Sequence, residues 1–356
     1  MPRGRRLVAR RIRGVAEWAR FGLAYHRRGH MLSLERVARV ASTKQASGSN
    51  GAASPGGCTV PPCALDNFEA VVLEGEDAVD FAQAQFASDL GTLEPGHWQW
   101  TCLLTAQGRV VAVALLLRPI ATRLLLVTPG ARSAELAERL RRFVLRRRVM
   151  LSVARPAVYG LGGATSGPAP NVGGAIHEIE GSLRIEIGGV AGRILQVGGT
   201  GPRLDAVARA AWRASDAMDG IPWLEGAAVE AWIPQALALG RLAAFSTRKG
   251  CYPGQEIVAR THFLGRNKRG LRRAMLPMGY DPPAPGTRLV GLQAAPDAEA
   301  HAEVVLAARG DGTGVVLAVA RDDAPRVLQP AGGGPALAFD PLPGVATSGV
   351  TEPKML

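Results

Sequence analysis

The stretch Phe245-Ser246-Thr247-Arg248-Lys249-Gly250-Cys251-Tyr252-Pro253-Gly254-Gln255-Glu256 concentrates more chemistry than any other part of this 356-residue chain. A cysteine sits two residues from a lysine and three from an arginine. Nearby cations favour a thiolate over a thiol, so this is a setting for a reactive cysteine. Gly250, Pro253 and Gly254 predict a tight turn with little side-chain obstruction. Gln255 and Glu256 add an amide and a carboxylate, groups that read a heterocycle by paired hydrogen bonds. An isolated cysteine is more often an inert, buried turn residue. The dense polar company here favours function.

Outward from this segment the chain reads as folded. Spacing of Val79, Phe81, Ala82 and Phe86 predicts an amphipathic helix over 75–90. Two apolar runs, Trp100–Leu104 and Val110–Leu117, flank a polar turn and predict a hairpin. A strand is expected at Arg123–Thr128. A helix is expected from Ser133, its N-cap, to Arg148, with Leu136, Leu140, Phe143 and Val144 on the buried face. Short strands are expected near Leu151–Tyr159, Leu183–Ile187 and Arg193–Val197, with a Gly/Pro loop over 162–174 and a helix over 202–217. From Gly270 onward, short β-like runs alternate with turns and predict a small antiparallel barrel.

The net charge of +12 invites a nucleic-acid reading, but its distribution argues otherwise. Residues 1–53 carry twelve cations against two acids, a net +10, which leaves +2 for the other 303 residues. Residues 1–40 mix arginines with scattered apolar residues, and 42–57 are a Ser/Ala/Gly linker. This tail reads as disordered, or as a consequence of start-site choice with Met31 as the real beginning. A targeting segment and RNA or membrane binding are the alternatives. The longest clean apolar run, Val110–Leu117, is too short to span a bilayer, and four cysteines make no disulfide framework. A cytoplasmic protein without membrane partners is expected.

Lys249-Gly250-Cys251-Tyr252-x-Gly254-Gln255-Glu256 resembles the K-G-C-Y-x-G-Q-E signature of the YgfZ family of folate-binding proteins. Gly220-Ile221-Pro222, Trp232-Ile233-Pro234-Gln235, Phe245, Val258-Ala259-Arg260 and Asn267-Lys268-Arg269 follow the same order and spacing. Upstream, Gly75-Glu76-Asp77 with Gln83, Gln85, Ser88 and Asp89 is similar to that family's N-terminal helix, so the resemblance covers residues 66–350. That family is related to the glycine-cleavage T-protein and to a mitochondrial iron–sulfur assembly factor.

The resemblance implies an α+β fold, with three domains ringing a central folate-binding hole and a C-terminal β-barrel. The corresponding division is a tail over 1–63, a two-part folate-binding region over 64–268 and a barrel over 269–356. It implies tetrahydrofolate or a related folate as ligand, and iron–sulfur client proteins or cluster carriers as partners, with tRNA involved indirectly through tRNA-modifying iron–sulfur enzymes. Cys251 and Lys249 would be the working pair, Lys249 lowering the Cys251 pKa. Phe245, Arg248, Tyr252, Gln255, Glu256 and Asn267 would shape the folate site. Cys251 would act as nucleophile, redox group or transient cluster ligand.

One departure matters. The T-protein needs an aspartate on the hairpin turn, yet Leu104-Thr105-Ala106-Gln107-Gly108-Arg109 holds no acid. That argues against aminomethyl transfer, and no conventional enzyme is expected. A folate-dependent transferase is the alternative, and a tRNA-binding module the second. Eight Arg or Lys besides Lys249 fall within Arg241–Arg273 and read either as a mouth for an anionic folate tail or RNA phosphate, or as a solvated charge run. Cys58 and Cys63, and His26 and His30, lack the partners of a metal site, and no resident metal is expected. Cys102 reads as a small core residue. Trp98 and Trp100 share a strand face, by default in the core, otherwise against a pterin.

Overall fold

The computed structural model describes residues 60–343, except 164, 165, 168, 266, 296, 311 and 313. The expectations for the basic tail, its start site, His26, His30 and Cys58 lie outside the described residues.

Ten strands form one antiparallel sheet: β1 (Cys63–Ala64), β2 (Phe68–Glu74), β3 (His97–Leu104), β4 (Val110–Ile120), β5 (Arg123–Pro129), β6 (Met150–Ala154), β7 (Val158–Gly162), β8 (Gly173–Ile179), β9 (Ser182–Gly188) and β10 (Arg193–Val197). Their order is β1-β7-β10-β9-β8-β3-β4-β5-β2-β6. β4 lies inside this sheet and is covered on both sides, which is why its sequence is an unbroken apolar run rather than an alternation. Val113, Leu115 and Leu117 enter one core with Trp98, Trp100 and Trp223. Ala112, Ala114 and Leu116 enter a second, with Phe81, Phe86 and Leu140.

The helices seal these cores. α1 (Ala78–Gln85) is shorter than expected and buries Ala78, Phe81 and Ala82. α2 (Ser133–Arg141) also stops early: the chain passes into turns that include Leu145 at a left-handed φ of 46°, leaving Phe143 and Leu145 exposed. Ser133 is not the N-cap. It is the first helical residue, and Glu69 of β2 accepts from both its backbone N–H and its hydroxyl. Burial works against the Glu69 carboxylate, but these bonds and Arg155 outweigh it and hold its pKa below the usual value. α3 (Ala206–Met218) is capped by its own Asp205, which accepts from Val207 N at 2.8 Å and Ala208 N at 3.0 Å. α4 (Gln255–Phe263) was not anticipated: it begins inside the segment read as a turn.

Six more strands close a barrel: β11 (Arg269–Leu276), β12 (Arg288–Val290), β13 (Ala302–Arg309), β14 (Gly314–Arg321), β15 (Val327–Pro330) and β16 (Leu337–Pro341), in the order β11-β14-β13-β12-β15-β16. Alternation along β14 divides its side chains. Val316, Ala318 and Ala320 fill the barrel with Leu289, Val304 and Phe339. Val315, Leu317 and Val319 face outward into the core shared with α3 and the sheet. Gly310 meets α3 closely; a Cβ there would lie 2.8 Å from Ala211 Cα.

Candidate functional site

The signature loop is assembled from three parts of the chain. Ser246 N donates to Ala87 O at 2.8 Å, which lays the loop along the segment after α1. Tyr252 Oη donates to Ser246 O at 2.7 Å and Gln255 Nε2 to Lys249 O at 3.0 Å, closing the loop on itself. Gly254 then starts α4 in a left-handed conformation, φ 79°. A Cβ on Gly254 would stand 2.5 Å from Thr105 O and 2.7 Å from Gly108 Cα, and one on Gly108 would meet Ile257 at 2.9 Å. The acid-free hairpin turn and the signature loop therefore touch backbone to backbone, and glycine is required on both sides.

Lys249 is the loop's anchor. Its ammonium donates to Gln83 O (2.5 Å), Phe86 O (2.7 Å) and Ser88 O (2.8 Å) around the C-terminal end of α1. Helix ends leave carbonyls without partners, and cations suit that pole of the helix dipole. Burial pushes the Lys249 pKa down to about 8, with Asp89 pulling the other way. Among the described contacts no hydrogen bond joins Lys249 to Cys251. An ammonium has three N–H donors, and all three are spent on carbonyls. Lys249 also packs on the Tyr252 ring, 5.2 Å from its centroid.

Cys251 stands exposed at the tip of this anchored loop. Arg248 and Glu256 are exposed as well; Phe245, Gln255 and Asn267 are half-buried, and Tyr252 is buried. The side chains of Tyr252 and Gln255 serve the loop's own geometry. Phe245 packs against the sheet core, and Asn267 Oδ1 accepts from Arg269 N at the entry to β11. Cys102 is in the core, its thiol donating to Ala244 O at 3.4 Å, and burial raises its pKa. Cys63 is buried too, its pKa pushed up to about 11 by burial. Among the described residues, no three His, Cys, Asp or Glu side chains gather as a metal site.

The basic run is divided. Arg241, Arg272 and Arg273 bond backbone carbonyls, and Arg269 lies over the Trp232 ring at 5.6 Å. Arg248, Arg260 and Lys268 are exposed, with no side-chain hydrogen bond or ion pair to another described residue.

A cleft of about 360 Å³ lies where the sheet meets α3. Phe68, Trp212 and Trp223 supply aromatic walls, Arg209 and Arg213 cations, and Asn67 a carboxamide. Phe68 and Trp223 meet edge to face, 5.7 Å between centroids. The sequence reading passed over this cleft because its residues come from segments more than 150 positions apart. The scarce tryptophans were the available signal.

No protein-family model matches the chain. It is 27% identical over 221 residues to the tRNA-modifying protein YgfZ of Vibrio atlanticus, covering 58% of this chain and 67% of that one. It is 27% identical over 240 residues to YgfZ of a Vibrio vulnificus strain (63% and 72%) and 25% identical over 228 to YgfZ of Colwellia psychrerythraea (58% and 69%). Among solved structures, the glycine cleavage system aminomethyltransferase T of Bartonella henselae superposes with a TM-score of 0.60 at 14% identity, over 80% of this chain and 86% of that one. With the signature loop and the barrel in place, the chain is a relative of the YgfZ proteins, built on the α+β fold of aminomethyltransferase T.

Proposed function

We propose that this chain is a cytoplasmic, tetrahydrofolate-binding accessory protein that supports assembly or repair of iron–sulfur proteins, including tRNA-modifying iron–sulfur enzymes, with Cys251 as its reactive group. The carrying observation is the exposed Cys251 on a loop held rigid by Lys249, Tyr252 and Gln255. A thiol kept in solvent on a fixed turn is built to meet another molecule, whereas Cys63 and Cys102 are packed away. Its client would be an iron–sulfur protein or a cluster carrier, with the cluster as cargo.

The folate fits the aromatic cleft by chemistry. A flat reduced pterin suits Phe68, Trp212 and Trp223, and the Asn67 carboxamide can pair with its ring edge. Arg209 and Arg213, paired here with Asp66 and Glu225, would have to exchange those partners for the glutamate carboxylates. In this reading the sheet halves and the barrel form three domains around a central hole, and Arg248 and Glu256 meet the client rather than the pterin. Aminomethyl transfer is disfavoured because the Thr105–Arg109 turn, although it touches the signature loop, brings no carboxylate there. Among the described residues, no helix is long and apolar enough to cross a membrane.

The test is complementation of a bacterium lacking its own YgfZ-type protein, scored by the activity of an iron–sulfur tRNA-modifying enzyme. Wild type should restore it and Cys251→Ser should not; full rescue by Cys251→Ser would overturn the thiol's role. Equilibrium dialysis with 5-formyltetrahydrofolate should show binding that Trp223→Ala weakens at least tenfold. No measurable binding by the wild-type protein would overturn the folate assignment.

A further inference from the structure

Another cleft, of about 450 Å³, opens beside the start of the signature loop, where Ser246 forms part of its wall. That volume falls within the range of small-molecule sites. Much of the wall comes from the segment between α1 and β3 together with the first residues of β3, and Gly173 and Gly174 at the start of β8 help complete it. Trp98 is 2% exposed, and its indole N–H has no hydrogen-bond partner among the described residues. A Cβ on Gly174 would lie 3.5 Å from Trp98 Nε1, so the bare glycine leaves this donor uncovered at the cleft wall. An indole N–H that reaches a cleft wall is open to an acceptor on a bound molecule.

The rest of the lining is rich in acceptors. Gln99 Nε2 donates to Ser88 Oγ (2.9 Å) and Asp89 O (3.0 Å), which leaves its Oε1 free. Asp89 Oδ1 takes Gln83 Nε2 and Gly91 N, both at 2.9 Å, which leaves Oδ2. The Gly91 N–H bond first, then Gln83, hold the Asp89 carboxyl below its usual pKa, so it is ionised at neutral pH. Glu94 is exposed with no ion pair to a described residue. His97 Nδ1 donates to Pro95 O at 3.3 Å and keeps Nε2 for a ligand.

We propose that this cleft binds a small, uncharged or cationic nitrogen heterocycle carrying amino groups, of the nucleobase or nucleoside class. The ligand's ring nitrogen accepts from Trp98 Nε1, and its amino groups donate to Gln99 and the carboxylates. Two carboxylates on the wall repel anions. The buried Lys249 ammonium acts on Asp89, but Glu94 has no ion pair to a described residue. Folate carboxylates, nucleotide phosphates and RNA strands are therefore poor occupants. This assignment concerns a different cleft from the proposed folate site and stands apart from it.

The test is a fluorescence titration of the full chain with 2-aminopurine riboside. Saturable binding is expected. Gly174→Ala, whose methyl fits at 3.5 Å but covers the indole N–H, should weaken it at least tenfold with unchanged thermal unfolding. Glu94→Gln should weaken it severalfold. The Trp98 indole resonance, assigned through Trp98→Phe, should shift on adding the riboside. Neither 5-formyltetrahydrofolate nor the corresponding 5′-monophosphate should displace the probe. Absence of saturable binding, an unmoved Trp98 resonance, indifference to Gly174→Ala, or tighter binding of the same base within an RNA oligomer would each overturn the proposal.

Discussion

Two buried cations show how differently this fold uses charge. Arg193 is fully buried between β10 and α3. Its guanidinium donates to Asp216 Oδ1 at 2.5 Å and Asp219 Oδ2 at 2.7 Å, and it lies 4.8 Å from the Trp212 ring centroid. Burial opposes its charge, but the two carboxylates prevail and raise its pKa. Lys249 faces no bonded acid, only three neutral carbonyls, and burial brings its proton near the physiological range. The paired cation keeps its proton throughout the range in which Lys249 loses its own, and so ties β10 and α3 together there. The carbonyl-solvated cation holds the loop that carries Cys251, and does so with a proton that can leave.

The largest expected effect falls on the paired side. Arg193→Met leaves two buried carboxylates uncompensated and should cost ~3–5 kcal/mol in urea unfolding. A loss below ~1 kcal/mol would show the contrast between the two cations to be illusory.

Next is a pH dependence confined to the other cation. Native Lys249 releases its proton near pH 8 and the unfolded chain near about 10.4. Between those values the unfolded state holds more protons, so wild-type stability relative to Lys249→Met should rise with pH. The gain, about 3 kcal/mol at most, disappears as pH falls through 8. Parallel urea midpoints for the two proteins from pH 7 to 10.5 would contradict this.

A smaller effect separates two glycines of the same loop. Gly254→Ala forces a Cβ against Thr105 O from a left-handed backbone and should cost ~1–3 kcal/mol. At Gly250 a Cβ meets nothing within 4 Å, so Gly250→Ala should change thermal unfolding by less than ~0.5 kcal/mol. Smallest is Cys251→Ser, which should leave stability within ~0.5 kcal/mol while removing complementation.

Where local pattern and burial coincide, the sequence was readable. The Val110–Leu117 run, the hairpin around Thr105–Arg109 and strands β5, β9, β10, β13 and β14 follow directly from it. β8, β11 and β15 were missed because glycine, arginine and proline break their alternation. α4 was hidden because Pro253 and Gly254, read as turn residues, are also how a helix begins. At the site, the exposed Cys251 and the glycine-lined turn were legible. The direction of Lys249 was not. Two positions of separation place it near Cys251 in sequence, but the α1 carbonyls that capture it lie more than 160 residues earlier. The aromatic cleft and the Trp98 cleft are closed only by tertiary assembly, and their tryptophans were the one signal the sequence carried for them.

The cap on α2 has a kinetic consequence. Its acceptor, Glu69, lies 64 residues upstream on β2. A nine-residue helix is marginal alone. α2 must therefore wait until β2 is in place, so in pulse-labelled refolding its amides should gain protection after those of the β3–β4 hairpin, and Glu69→Ala should delay them further. A helix whose nucleation is controlled by a strand is a checkpoint: the first half of the chain commits to its sheet before its surface is sealed.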